Sequence, residues 1–117
     1  MENVFVLFEV TIKKYKMDVY LQLATSLKKE LAKAEGCIRS ERFSSLVEEG
    51  KLLSLSVWES EECVTQWRNL AMHRICQQKG RAIAFADYSI TVLAPVRGYT
   101  KTDRRNAPED SNQFLKG

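Results

Sequence analysis

Apolar and polar residues alternate along the first stretch of the chain. Val4, Val6, Phe8, Val10 and Ile12 fall on one side, and Phe5, Leu7, Glu9 and Thr11 on the other. A period of two marks a strand, and the apolar start of both sides places it in the middle of a sheet. From Met17 the period changes. Met17, Tyr20, Leu21, Ala24, Leu27, Leu31 and Ala34 recur at spacings of three and four, the stripe of an amphipathic helix, and Gly36 is a stop that tolerates positive φ. Residues 37–46 read as a second strand, Glu48-Glu49-Gly50-Lys51 as a hairpin turn, and residues 52–58 as a third strand. On that third strand Leu53, Leu55 and Val57 share one face; Leu52, Ser54, Ser56 and Trp58 share the other. Ser60 is a good N-cap, with Glu61 and Glu62 in the first turn of a helix over residues 61–79. Its stripe is Val64, Trp67, Ala71, Ile75 and Gln78, it bends near Leu70, and Gly80 ends it. Residues 83–96 form the last strand. Pro95 cannot donate to a ladder, so the chain there lies at an edge, at a bulge or outside its own sheet.

The order β-α-β-β-α-β predicts an α+β, ferredoxin-like fold, an antiparallel sheet with both helices on one face. The uncovered face would carry Phe5, Leu7, Leu52, Leu93 and Trp58 beside Ser and Thr, more apolar area than solvent tolerates. A second copy of the chain is expected to cover it, which makes the protein a homodimer. A length of 117 residues suffices for one core, so residues 1–99 are read as the domain and 100–117 as a polar tail. That tail, with little apolar content beyond Phe114 and Leu115, is flexible alone or wraps the partner subunit.

Charge and cysteine content narrow the function classes. The net charge of +3 is a weak excess, and the basic pairs Lys13-Lys14, Lys28-Lys29 and Arg104-Arg105 lack interleaved aromatics, so no nucleic-acid partner is expected. No apolar run approaches the roughly 20 residues that span a bilayer. The start has an acidic residue before its apolar run and no basic region with a cleavage site. The expectation is a cytoplasmic protein without a membrane partner. Cys37, Cys63 and Cys76 are odd in number and lack CxxC spacing, which predicts reduced thiols and no metal site.

Particular runs narrow the fold to a family. Glu41-Arg42-Phe43 with Ser45, Leu53-Ser54-Leu55-Ser56-Val57-Trp58, Trp67-Arg68 with His73-Arg74, Gly80-Arg81 and Phe85-Ala86-Asp87-Tyr88 together resemble the antibiotic biosynthesis monooxygenase family. Val96-Arg97-Gly98-Tyr99 and Ala107-Pro108-Glu109-Asp110-Ser111 are similar to the tails of small members. The resemblance implies a dimeric α+β barrel whose last strand reaches into the partner. It also implies a choice of activities: oxidation of polycyclic phenols to quinones without metal or flavin, degradation of haem, or the handling of small signalling molecules.

The candidate residues follow. His73, the one histidine, titrates near neutrality and could take a phenolic proton to make an electron-rich phenolate; a helix-surface histidine is the alternative. The resemblance sets against Trp67 a Tyr about two turns later in quinone-forming relatives, where this chain has His73. Trp67 is a cavity wall or a core residue, and Trp58 a pocket residue or packing at an interface. Arg81 could stabilise an oxyanion or bind a carboxylate, or pair with Asp87 or Glu59. Glu9 is an ion-pair partner or a polar lining, and Phe43 is placed with Glu9 and Trp58 as ligand-binding. In haem-degrading relatives the ligand position falls near Gln77, and the first strand has Asn where this chain has Glu9 or Val10, so haem turnover is the least favoured activity. The reading is a cofactor-independent monooxygenase for a small aromatic or conjugated carbonyl compound, with His73, Trp67 and Arg81 as its catalytic set. The alternative is a non-catalytic dimer that binds a small ligand or serves a stress-related role. An open cavity beside Trp67 and His73 is what the enzyme requires.

Overall fold

In the computed structural model, which describes residues 3–115 without the side chains of Ala71, Met72 and Ile75, eight regular elements follow one another. They are β1 (Val4–Ile12), α1 (Met17–Leu31), β2 (Cys37–Ser44), β3 (Lys51–Trp58), α2 (Glu61–Arg68), α3 (Ala71–Lys79), β4 (Phe85–Leu93) and α4 (Glu109–Phe114). The sheet order β2-β3-β1-β4, antiparallel throughout, is that of a ferredoxin-like fold. Apolar on both sides, β1 pairs with a neighbour at each edge.

Register decides which residues meet the helices. Val4 stands opposite Trp58, Val6 opposite Ser56, Phe8 opposite Ser54 and Val10 opposite Leu52. Residues directly opposite in an antiparallel pair share a face. Val10 packs in the core with Ile12, Tyr20, Ala24 and Ala84, so Leu52, Ser54, Ser56 and Trp58 lie beneath the helices. The expectation that Leu52 and Trp58 occupy the uncovered face is therefore corrected: Trp58 is 1% exposed. The uncovered face carries Phe5, Leu7, Leu53, Leu55 and Leu93, and is more apolar than expected.

Three boundaries also differ. The second helix is broken rather than bent. Leu70 takes an extended backbone (φ −68°, ψ 140°), the Asn69 side chain donates to the Thr65 carbonyl at 2.9 Å, and Arg74 donates to Asn69 Oδ1. Ala71 and Ile75, two positions of the expected stripe, fall outside the described side chains. Gly80 does not simply end the helix: residues 80–84 continue as a wider π-helical turn, and the last strand starts at Phe85 instead of Ile83. A Cβ on Gly80 would overlap the Phe85 ring. The Lys13 N–H donates to the Ala84 carbonyl at 2.7 Å and ties this turn to the end of β1. At its far end β4, an edge strand, stops at Leu93, two residues short of Pro95.

The tail is more ordered than its composition suggests. The Arg104 guanidinium donates to Asn112 Oδ1 at 3.1 Å and Ser111 Oγ at 2.8 Å, and lies 4.9 Å from the centre of the Tyr99 ring. These contacts hold the unexpected helix α4 back against residues 99–104. Phe114 remains 86% exposed. The radius of gyration is 17.0 Å, against roughly 13 Å for a compact chain of this length, so the tail projects as an arm. Among the described residues no helix is long and apolar enough to cross a membrane.

Gly36 tests the local packing. Its φ is +82°, its carbonyl accepts from the Glu59 N–H at 2.8 Å, and a Cβ would lie 2.8 Å from Cys63 Cβ while overlapping Cys63 Sγ. Gly36→Ala should cost about 2–3 kcal/mol from left-handed strain and overpacking. Urea denaturation measures it, and a loss under about 0.5 kcal/mol would contradict this packing.

Candidate functional site

Small residues on a sheet face beneath helices leave space. Ser54 and Ser56 sit between Leu52 and Trp58 on β3, and Ser40 and Ser56 pair across β2 and β3. Above them α1 presents Tyr20, Leu23, Ala24, Leu27 and Lys28, spaced three and four apart along one face. The result is a cavity of about 440 Å³ between sheet and helices, within the range of small-molecule sites. Phe8, Val6, Val64, Phe85, Ile90 and Val92 give it a largely apolar wall.

One end is aromatic. Trp58 donates its indole N–H to Ser56 Oγ at 2.8 Å, which satisfies the polar atom of a buried ring and fixes its plane. Trp67 lies 6.0 Å from Trp58 between ring centres, and the His73 imidazole meets Trp67 edge-on at 5.2 Å. All three line the cavity. His73 Nδ1 is buried and has no hydrogen-bond partner among the described residues. Burial holds the His73 pKa below the ordinary 6.5; the Arg68 backbone carbonyl partly offsets this, and the charges of Arg74 and Arg68 reinforce it. The ring is neutral at pH 7, the state in which a histidine accepts a proton.

The opposite end is polar. The Arg42 guanidinium lies 5.7 Å from the centre of the Tyr20 ring. Burial raises the Tyr20 pKa despite the charge of Arg42 and a hydrogen bond from its guanidinium, so the phenol stays protonated. Cys76, also on the cavity wall, has its thiol pKa raised by burial, which keeps it a weak nucleophile.

Of the residues proposed from the sequence, the structure brings together His73, Trp67 and Trp58. Glu9 and Phe43 line a separate, shallower hollow on the uncovered side of the sheet with Val47, Glu48 and Lys51; there Glu9 accepts a hydrogen bond from Ser89 at 3.4 Å. Arg81 is exposed and donates to the Tyr88 hydroxyl at 3.0 Å, rather than pairing with Asp87 or Glu59, and does not line the cavity. Sequence reasoning passed over Tyr20, Arg42, Ser54 and Ser56. The signal was the Ser-x-Ser-x-Trp face of β3, too polar for a core and too well placed for a surface.

Comparison with known proteins fits this geometry. The family model for antibiotic biosynthesis monooxygenases matches residues 3–79. The chain belongs to that family. The match takes in the cavity's floor strands β1 and β3 and all three helices above it. A protein of Pyricularia oryzae named jasmonate monooxygenase is 40% identical over 87 residues, 74% of this antibiotic biosynthesis monooxygenase family member and 40% of the relative's own length. The chain thus spans well under half of that relative. Among solved structures, a conserved protein of Methanosarcina mazei Go1 superposes with a TM-score of 0.74 at 22% identity, covering 80% of this chain and 92% of its own. A protein of Mycobacterium tuberculosis gives a TM-score of 0.75 at 15% identity, covering 84% and 99%. At such identities the structures support the fold of this family member and no more.

The state of His73 is directly measurable. Its imidazole should titrate by NMR with a midpoint below 6.5, the ordinary value. Because the folded pKa is the lower one, the stability that neutral His73 contributes is complete above 6.5 and declines as pH falls from there towards the folded pKa. A midpoint at or above 6.5 would show a solvated or acid-paired ring.

Proposed function

We propose that the protein is a monooxygenase that acts on a small aromatic or conjugated carbonyl compound held between Trp58, Trp67 and His73. The observation that carries this reading is the His73 imidazole, held neutral by burial and set edge-on to Trp67, in the wall of an open cavity of about 440 Å³. A base so placed can remove the acidic proton of a substrate phenol or activated methylene. The resulting delocalised anion is electron-rich enough to reduce oxygen, and combination gives a peroxide at the deprotonated methylene carbon, or at a ring C–H carbon ortho or para to a phenolate. Loss of water then leaves a carbonyl: a CH₂ and O₂ become C=O and H₂O. All four electrons that reduce O₂ come from the two broken C–H bonds, two from each, so the balance needs no external reductant. The indole faces exclude water and stack on the planar anion. Family membership supports an oxygenase, and the name of the Pyricularia relative supports a substrate the size of jasmonate, a small cyclic ketone.

The same reading includes a homodimer. The uncovered apolar face of β1, β3 and β4, the exposed arm beyond Leu93 and the arm's bare Phe114 support two sheets packed face to face with arms exchanged. Sedimentation equilibrium at micromolar concentration should give twice the chain mass, and Leu55→Glu should give the single mass; a wild-type monomer would remove the dimer from the proposal.

Oxygen uptake with a panel of dihydroxyaromatics and anthrone-type ketones tests the chemistry. His73→Ala should lower kcat/KM by roughly 10²–10⁴-fold, the range typical of a general base. Superimposable traces for wild type and variant would take His73 out of the mechanism.

A further inference from the structure

The cavity has a second end that the oxygenation chemistry does not use. Arg42 stands opposite Ser54 in the β2–β3 register, four residues along β3 from Trp58, about 13 Å at the rise of a strand. Arg42 is exposed, and its guanidinium lies over the ring of Tyr20 at the edge of the cavity. Lys28 and Arg68 also line the cavity, and the single acid on its wall is Glu41. None of these cations is in an ion pair among the described residues, where the salt bridges are Lys51–Glu48 and Arg105–Asp103. The hydroxyls of Ser40 and Ser54 have no hydrogen-bond partner there either. A largely apolar chamber with a guanidinium that has no counter-ion, hydrogen-bonded to a protonated phenol and set opposite Ser54 at one end, suits an anion with a greasy body.

We infer that the substrate is an organic acid, whose carboxylate is seated by the Arg42 guanidinium with the Tyr20 and Ser54 hydroxyls beside it. Its ring or conjugated body then extends along β3 to the Trp58, Trp67 and His73 end. This deepens the oxygenase reading, since it fixes which end of the molecule faces the base. Arg42 acts as a specificity residue: it holds the acid and takes no part in proton removal. Neutral analogues with the same ring keep the apolar contacts and leave the Arg42 charge without a counter-ion, at a cost in affinity.

Binding can be measured without turnover, by calorimetry of the full chain under nitrogen. The probes are jasmonic acid and 1-naphthylacetic acid, each beside its methyl ester. Wild type should bind at least one acid ten-fold or more tighter than its ester. Arg42→Gln should erase that preference while leaving ester affinity within two-fold, Arg42→Lys should keep part of it, and Lys28→Gln should keep most of it. His73→Ala should retain the preference in full. Equal affinity for acid and ester in both pairs, no binding of either acid, or a loss with Lys28→Gln equal to that with Arg42→Gln would each overturn the seat at Arg42. Acid selectivity in a protein that consumes no oxygen with any probe would keep the seat and remove the oxygenase.

Discussion

Everything at this site depends on the pairing of β1 with β3. With Val4 set against Trp58 and Val10 against Leu52, the face holding Ser54 and Ser56 goes under the helices and the face holding Leu53 and Leu55 goes outward. A slip of one residue would exchange the two sets. The leucines would then fill the space beneath α1, and the serines would leave an unremarkable polar surface outside. The register therefore sets both the chamber inside the subunit and the apolar face outside it.

The helices complete the chamber through a break. Trp67 and His73 are six residues apart, which in a continuous helix would point them about 120° away from each other. Leu70 leaves the helical conformation, Asn69 closes α2 and accepts from Arg74 in α3, and the two rings end edge to face at 5.2 Å. The break converts a histidine of surface phase into a wall residue. Once there, it loses solvent, and burial keeps it neutral.

How much of this was legible follows from which forces are local. The alternation in β1, the helical stripe of α1 and the Ser60 cap are each set within a few residues, and each is where the sequence placed it; the Ser60 hydroxyl accepts from the Cys63 N–H at 3.2 Å. The alternation in β3 was legible as two sets of residues, yet nothing within the strand says which set the helices cover. That needs its partner. The π-helical turn depends on Phe85 seating against Gly80, and the ordered tail on Arg104 reaching Ser111 and Asn112; both are contacts without a periodic trace. Arg42 was read within a family-like run rather than as a site residue, because its role depends on Tyr20 arriving from another element. His73 and Trp67 were legible as chemistry, and their meeting was not, since the phase shift at Leu70 lies between them.

The central claim is that the space under the helices is open and that Trp58, Trp67 and His73 bound one end of it. A crystal structure determined under xenon pressure measures this directly, because the gas occupies apolar cavities that side chains leave unfilled. The account predicts a xenon site in contact with Phe8 and the two indoles, on the side faced by the His73 ring. Helices settled onto the sheet, with Leu27 and Trp67 filling the space and no xenon between them, would contradict it.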